Sequence, residues 1–159
     1  MRLAAQPVDG GKGSKIFRFR RGSYLIDVSF EVANGGTASL QPYAYFQLVR
    51  DDKPLPGDSA MLPTFTGVAF YTDKDKFQKI AFSDIEKGKA QHAKNSEDGW
   101  VAILQHYFFS AWLPKTGMPR EFYARRLEDG LYSAGVIVPV GAIAAGASTT
   151  VTVPLYAGP

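Results

Sequence analysis

Apolar side chains recur at every second position along much of this chain. Tyr24, Ile26, Val28, Phe30 and Val32 share one side of an extended segment, and Leu25, Asp27, Ser29 and Glu31 take the other. That alternation predicts a strand with one buried face. Lys15 to Arg20 reads as its hairpin partner, joined through Arg21-Gly22. Asn34-Gly35-Gly36 supplies turn residues that tolerate positive φ. It leads into a longer extended segment, Ser39 to Arg50, which carries Tyr43, Tyr45, Phe46 and Leu48. Asp51 to Asp58, with Pro54, Pro56 and Gly57, predicts a loop.

The second half continues the pattern. Thr64 to Tyr71 and Lys76 to Phe82 predict strands, the latter followed by a turn of helix at Ser83-Asp84-Ile85. Glu86 to Gly99 is polar and reads as surface loop or a weak edge strand. Trp100 to Leu113 is apolar on both faces, as expected of one strand buried mid-sandwich. Within it, Trp100, Leu104, Phe108 and Trp112 form one inward row, with His106 on the face of Leu104 and Phe108. Arg120 to Glu128 and Leu131 to Val138 flank Asp129-Gly130, a strong hairpin signal. Thr149 to Tyr156 closes the set, with Val151, Val153 and Leu155 inward. About nine strands at roughly 8–12-residue spacing, with no long helix, predict an all-β, mainly antiparallel sandwich or barrel. Residues 1–159 read as a single domain, with 1–14 flexible or outside the core and Gly10-Gly11-Lys12-Gly13 as a flexible loop.

Composition narrows the chemistry. The 159 residues contain no cysteine, which removes disulfides, thiolate metal sites and cysteine nucleophiles. The net charge of +3 is weak support for nucleic-acid binding. The basic residues gather at Arg18, Arg20 and Arg21 and at Arg125 and Arg126. A strand with a solvated basic face accounts for the first group, and no nucleic-acid partner is expected. Nor does any segment reach the roughly 18 apolar residues of a membrane span.

The two histidines, His92 and His106, read as a loop residue and a hydrogen-bonded core residue. The acid pairs Asp51-Asp52, Asp73/Asp75 and Glu97-Asp98 fall in turns, where Asp bonds to backbone. Metal-ligand spacing, phosphate loops and serine-nucleophile motifs are absent from the sequence. No catalytic residue, metal or cofactor is expected.

One stretch is far more specific. Gly99-Trp100-Val101-Ala102-Ile103-Leu104-Gln105-His106-Tyr107-Phe108-Phe109-Ser110-Ala111-Trp112-Leu113-Pro114 resembles the signature of the periplasmic domain of YidC-type membrane protein insertases. Arg21 to Val28, Phe65 to Thr72, Lys76 to Phe82 and Leu155 to Pro159 follow the same family pattern in the same order. The resemblance runs from about Lys15 to Pro159. It implies a β-supersandwich related in shape to galactose mutarotases, lying between the first and second membrane spans on the periplasmic face of the Gram-negative inner membrane. The family pattern extends further at both ends. The chain is therefore expected to lack N-terminal strands of the sandwich, with Met1 to Lys12 in their place, and the C-terminal helices and spans.

The function so implied is non-catalytic: docking Sec translocon accessory proteins or nascent inner-membrane proteins while membrane spans elsewhere carry insertion. The exposed members of the Ser39 to Arg50 segment, Tyr43, Tyr45 and Gln47, are the candidate partner-binding residues. The alternative is a carbohydrate-binding or mutarotase-like protein. It requires His106 in a pocket beside a carboxylate, whereas a buried His106 favours the scaffold.

Overall fold

The computed structural model describes residues 1–5, 11–54 and 65–159. These form two antiparallel sheets packed face to face. The larger sheet contains β1 (Arg2–Ala4), β2 (Gly11–Phe19), β3 (Leu25–Asn34), β5 (Gly67–Thr72), β6 (Lys76–Ile80), β8 (Trp100–Gln105), β9 (Phe108–Trp112) and β12 (Ser148–Gly158). Its order is β1-β2-β3-β12-β9-β8-β5-β6. The smaller sheet, ordered β4-β11-β10-β7, contains β4 (Tyr43–Asp51), β7 (Asn95–Ser96), β10 (Arg120–Arg126) and β11 (Leu131–Pro139). A short helix, α1 (Phe82–Glu86), follows β6. The all-β antiparallel class read from the sequence is the class observed.

Alternation decides which side chains meet between the sheets. Val28, Val153, Trp112, Val101 and Phe70 line the inner face of the large sheet, and Phe46, Val136, Val138 and Phe122 line that of the small one. Aromatic rings join the layers: Phe46 meets Phe30 at 5.1 Å and Trp112 at 5.2 Å, and Phe70 meets Phe122 at 5.7 Å. Beneath α1, Phe82 packs on Tyr132 at 4.8 Å. Such tilted contacts add stabilisation beyond the area they bury.

Twelve strands are present among the described residues, against about nine expected. Two of the extra three are β1 and β7. Arg2 pairs with Ile16 and Ala4 with Ser14, so part of the segment expected to be flexible is a strand, although none of its described residues is buried. The Gly11-Lys12-Gly13 part of the expected loop belongs to β2 and pairs with β3. Gly10 and residues 55–58 of the Asp51 to Asp58 loop lie outside the described residues.

The third extra strand corrects a larger expectation. Trp100 to Leu113 is not one strand but a hairpin, β8 and β9, closed by His106-Tyr107 with Gln105 paired to Phe108. His106 sits at the tip with φ of 32°. It is exposed, as is Phe108, so neither is a core residue. Of the expected inward row, Trp112 alone is buried; Trp100 and Leu104 point out from the sheet and are partly covered.

The apolar character of both faces has a local cause. Ala69, Ala102 and Ala111 pair across three strands on the outer face. They lie between the larger side chains of Tyr71 and Trp100 on one side and Leu104 and Phe109 on the other. All three alanines are buried under those ridges.

Trp112 bridges the layers with 2% of its surface exposed. Trp112→Ala should cost about 3–5 kcal/mol of stability. A loss below about 1 kcal/mol in denaturant melts would show that the core closes without it.

Candidate partner-binding surface

Strand β4 presents Ala44, Phe46 and Leu48 to the core, which turns Tyr43, Tyr45, Gln47 and Val49 outward. Tyr43 is 64% and Tyr45 50% exposed. The three sequence-named residues therefore share one outer face, on the first strand of the small sheet. Register extends them into rows. Tyr45 lies beside Ile137 and then Glu121, and Gln47 lies beside Gly135 and then Tyr123.

The Gln47 row is tied down. The Tyr123 hydroxyl donates to Gln47 Oε1 at 3.1 Å, and the Ser133 hydroxyl approaches the same oxygen at 3.4 Å. Tyr123 lies across Gly135, where an added Cβ would sit 2.9 Å from its hydroxyl oxygen and 2.3 Å from the Phe46 carbonyl. The Arg125 guanidinium covers the Tyr123 ring at 5.1 Å. Burial pushes the Tyr123 hydroxyl above its ordinary pKa, so it remains a donor at neutral pH. Towards the other end, Tyr43, Tyr45, Ile137, Pro139 and Glu121 line a groove of about 690 Å³ with Asn95 and Ser96 of β7.

Arg120 fixes the floor of that groove and was not singled out from the sequence. It is 3% exposed. Its Nε donates to the Met118 carbonyl at 2.9 Å, Nη1 to those of Gly99 at 2.7 Å and Pro114 at 3.1 Å, and Nη2 to those of Glu97 at 2.9 Å and Lys115. All five guanidinium donors are satisfied. Burial works against the charged form, and the nearby Asp98 carboxylate favours it. Asp98 is itself held below the usual carboxylate range, first by the Ser96 hydroxyl and then by the Asp73 backbone N–H.

Gly99 serves the same knot. Its φ is 86°, and a Cβ would lie 1.9 Å from the Tyr71 carbonyl oxygen. No other residue fits.

The remaining candidates separate. His92 stacks on Phe70 at 4.3 Å with its Nδ1 2.7 Å from the Ala93 carbonyl and its Nε2 3.4 Å from Lys94 Nζ. It is partly buried and tied to the core, a correction to the solvated-loop reading. His106 lies at the β8–β9 tip, in a hollow with Phe65, Lys79 and Leu104. The described residues lining that hollow include no carboxylate. Asp73 and Asp75 cap the β5–β6 turn through Tyr71 and Thr72. Among the described residues no group of three or more His, Asp or Glu could hold a metal ion. The two basic clusters fall on different sheets: Arg18 near the end of β2 with Arg20 and Arg21 in the β2–β3 turn, and Arg125 and Arg126 on β10.

The chain is thus an antiparallel β-sandwich domain with a tyrosine-bearing outer face and an interior braced by one arginine. The model of the YidC periplasmic domain family matches residues 1–159. This includes Met1 to Lys12, which the motif resemblance left out. Membrane protein insertase YidC of Nitrosospira multiformis is 58% identical over 159 residues, covering 100% of this chain and 28% of that protein. The protein of the same name from Nitrosomonas europaea is 52% identical, covering 100% and 26%. The chain thus spans just over a quarter of the length of these curated relatives. A solved Klebsiella pneumoniae structure, assigned as an aldose 1-epimerase, aligns over 98% of this chain and 49% of its own at a TM-score of 0.40 and 8% identity.

The chain belongs to the YidC periplasmic domain family. It is a domain of a membrane protein insertase and lies on the periplasmic face of the inner membrane. Among the described residues, no helix is long and apolar enough to cross a membrane.

Two outcomes test the geometry. Arg120→Lys leaves several buried carbonyls without a donor and should cost about 3 kcal/mol or more; denaturant melts within about 1 kcal/mol of each other would refute the knot. His92 gives the second. Burial is the main cause holding its pKa below the ordinary value, with Lys94 adding to the effect and the Ala93 carbonyl opposing it. The unfolded chain then takes up a proton near pH 6.5 while the folded one does not. Stability should fall as pH drops through about 6.5 towards the depressed folded value. His92→Gln should flatten that slope in melts across the range, and an unchanged slope would assign it to other groups.

Proposed function

We propose that this domain is a non-catalytic docking module of the insertase, using the outer face of the small sheet around Tyr43, Tyr45 and Gln47. The partners are Sec translocon accessory proteins or nascent inner-membrane segments after they cross. Insertion itself requires groups at bilayer depth. The larger part of the buried apolar side chains forms one β core between the sheets, an architecture suited to accessory work.

The observation that carries the proposal is the pairing of two half-exposed tyrosines with a groove whose polar neighbours are already hydrogen-bonded. Tyrosine offers large contact area at little conformational cost and is enriched at interface centres. The Gln47–Tyr123–Ser133 contacts hold the platform before a partner arrives, which reduces the ordering cost of binding.

The test uses the full-length insertase carrying Tyr43→Ser and Tyr45→Ser together. Both side chains point away from the core, so the protein should accumulate normally in the membrane. Co-purification of Sec components should drop severalfold while a Sec-independent substrate inserts at near-normal levels. Undiminished co-purification would overturn the assignment of this face. Loss of Sec-independent insertion by a stable, correctly placed protein would overturn the accessory role.

A further inference from the structure

The other sheet carries a second surface, at one end rather than on a face. Strand register brings three features to that end of the large sheet: the β2–β3 turn, the end of β12 and the β8–β9 tip. Tyr156 pairs with Leu25 on one side and Ala111 on the other, and Gly158 pairs with Phe109. Six large apolar side chains are exposed there: Phe19 at 64%, Tyr24 at 56%, Leu25 at 43%, Tyr107 at 75%, Phe108 at 61% and Phe109 at 36%. Two of them are joined through Tyr156: Phe109 stacks on its ring at 4.5 Å and Tyr24 meets it at 6.0 Å. Gly158 keeps the ladder open, since a Cβ there would lie 2.6 Å from the Tyr24 ring.

The charge at this end has one dominant sign. Arg18, Arg20 and Arg21 are exposed at the β2–β3 turn, and Lys79 lies over the Phe65 ring at 5.1 Å beside the tip. Along residues 18–27, 104–110 and 154–159 the single acidic side chain is Asp27, and Arg20 binds it at 2.7 Å. Aromatic rings flanked by arginine and lysine match the headgroup zone of a bilayer, where rings sit at the polar–apolar boundary and cations meet lipid phosphates. Tyr107 in the hairpin turn and Phe108 at the start of β9 are 75% and 61% exposed, and both rings stand largely open to solvent.

We propose that this end of the large sheet rests on the surface of the inner membrane, with Tyr107 and Phe108 entering the headgroup layer and Arg18, Arg21 and Lys79 engaging anionic phospholipid. The occupant is the bilayer itself. The domain already lies on the membrane's periplasmic side, and the basic surplus complements anionic headgroups. Contact at this end leaves the Tyr43–Tyr45 face, on the other sheet, available to a protein partner.

Flotation of the domain with phosphatidylethanolamine–phosphatidylglycerol vesicles, against phosphatidylcholine vesicles, gives the test. The domain should float with the anionic vesicles. Tyr107→Ser with Phe108→Ser should weaken binding at least about tenfold, and Arg18→Gln and Arg21→Gln about fivefold each. Near-UV circular dichroism should be unchanged, as the altered side chains are exposed. A Tyr107→Trp variant should shift its emission to the blue on the vesicles and be quenched by brominated acyl chains. No flotation of the unaltered domain, or flotation indifferent to the aromatic substitutions, overturns the proposal. So does a dimer, seen by analytical ultracentrifugation, that depends on Tyr107 and Phe108 in the absence of vesicle binding; the occupant is then a second copy. None of these results bears on the Tyr43/Tyr45 co-purification readout, so the two readings fail separately.

Discussion

One cation holds the two sheets in register. The Arg120 guanidinium sits where β10 begins and gathers carbonyls from the β7 side, from the glycine that opens β8 and from the loop that leaves β9. A buried charge without compensation is strongly unfavourable. Here five carbonyl dipoles supply the compensation, and no salt bridge to it is formed among the described residues. The arrangement is mutual, because the same loop carbonyls would be orphaned without the arginine. The chain path around β7, β8 and β9 is therefore set by donor geometry as well as by apolar packing. The groove beside Tyr43 and Tyr45 inherits its floor from that geometry.

The strands were legible because the sheets are half-buried. Alternation placed Tyr43, Tyr45 and Gln47 outside as soon as Ala44, Phe46 and Leu48 were inside, and it placed Val151 and Val153 within. The β10–β11 hairpin was announced by Asp129-Gly130. The β8–β9 hairpin was not, because its turn is His106-Tyr107, and His106 adopts positive φ without the glycine or asparagine that usually marks it. The buried alanine row also erased alternation there, so two strands read as one. Arg120 left a fainter trace. It has the parity of Phe122 and Ala124, both turned inward, and an arginine in phase with core positions calls for an internal partner. That its partners are backbone carbonyls cannot be seen in side-chain patterns.

The two outer surfaces differ in how they are built. The small-sheet face is bonded within itself, with Gln47 held by Tyr123 and Ser133 and the arginine of β10 stacked above. The end of the large sheet is apolar and cationic, with rings stacked in a ladder and an exposed aromatic tip. A prepared polar platform suits a shaped protein surface, and a protruding aromatic tip suits a fluid medium that conforms to it. The two proposed contacts thus draw on different surfaces of one fold, a groove-lined face and an exposed end.

The position of β12 has a consequence in time. The large sheet consists of two blocks, β1-β2-β3 and β9-β8-β5-β6, and β12 alone joins them. A chain that emerges from its amino end onward must hold the first block, with an open strand edge, until residues 148–158 arrive. Neither block can close the sandwich earlier, since Val151 and Val153 fill the seam between them. Pairings of this sequence separation form slowly, and an open edge is a site for wrong partners meanwhile. Completion of the large sheet is thus tied to the arrival of residues 148–158, whatever the order in which the two blocks form.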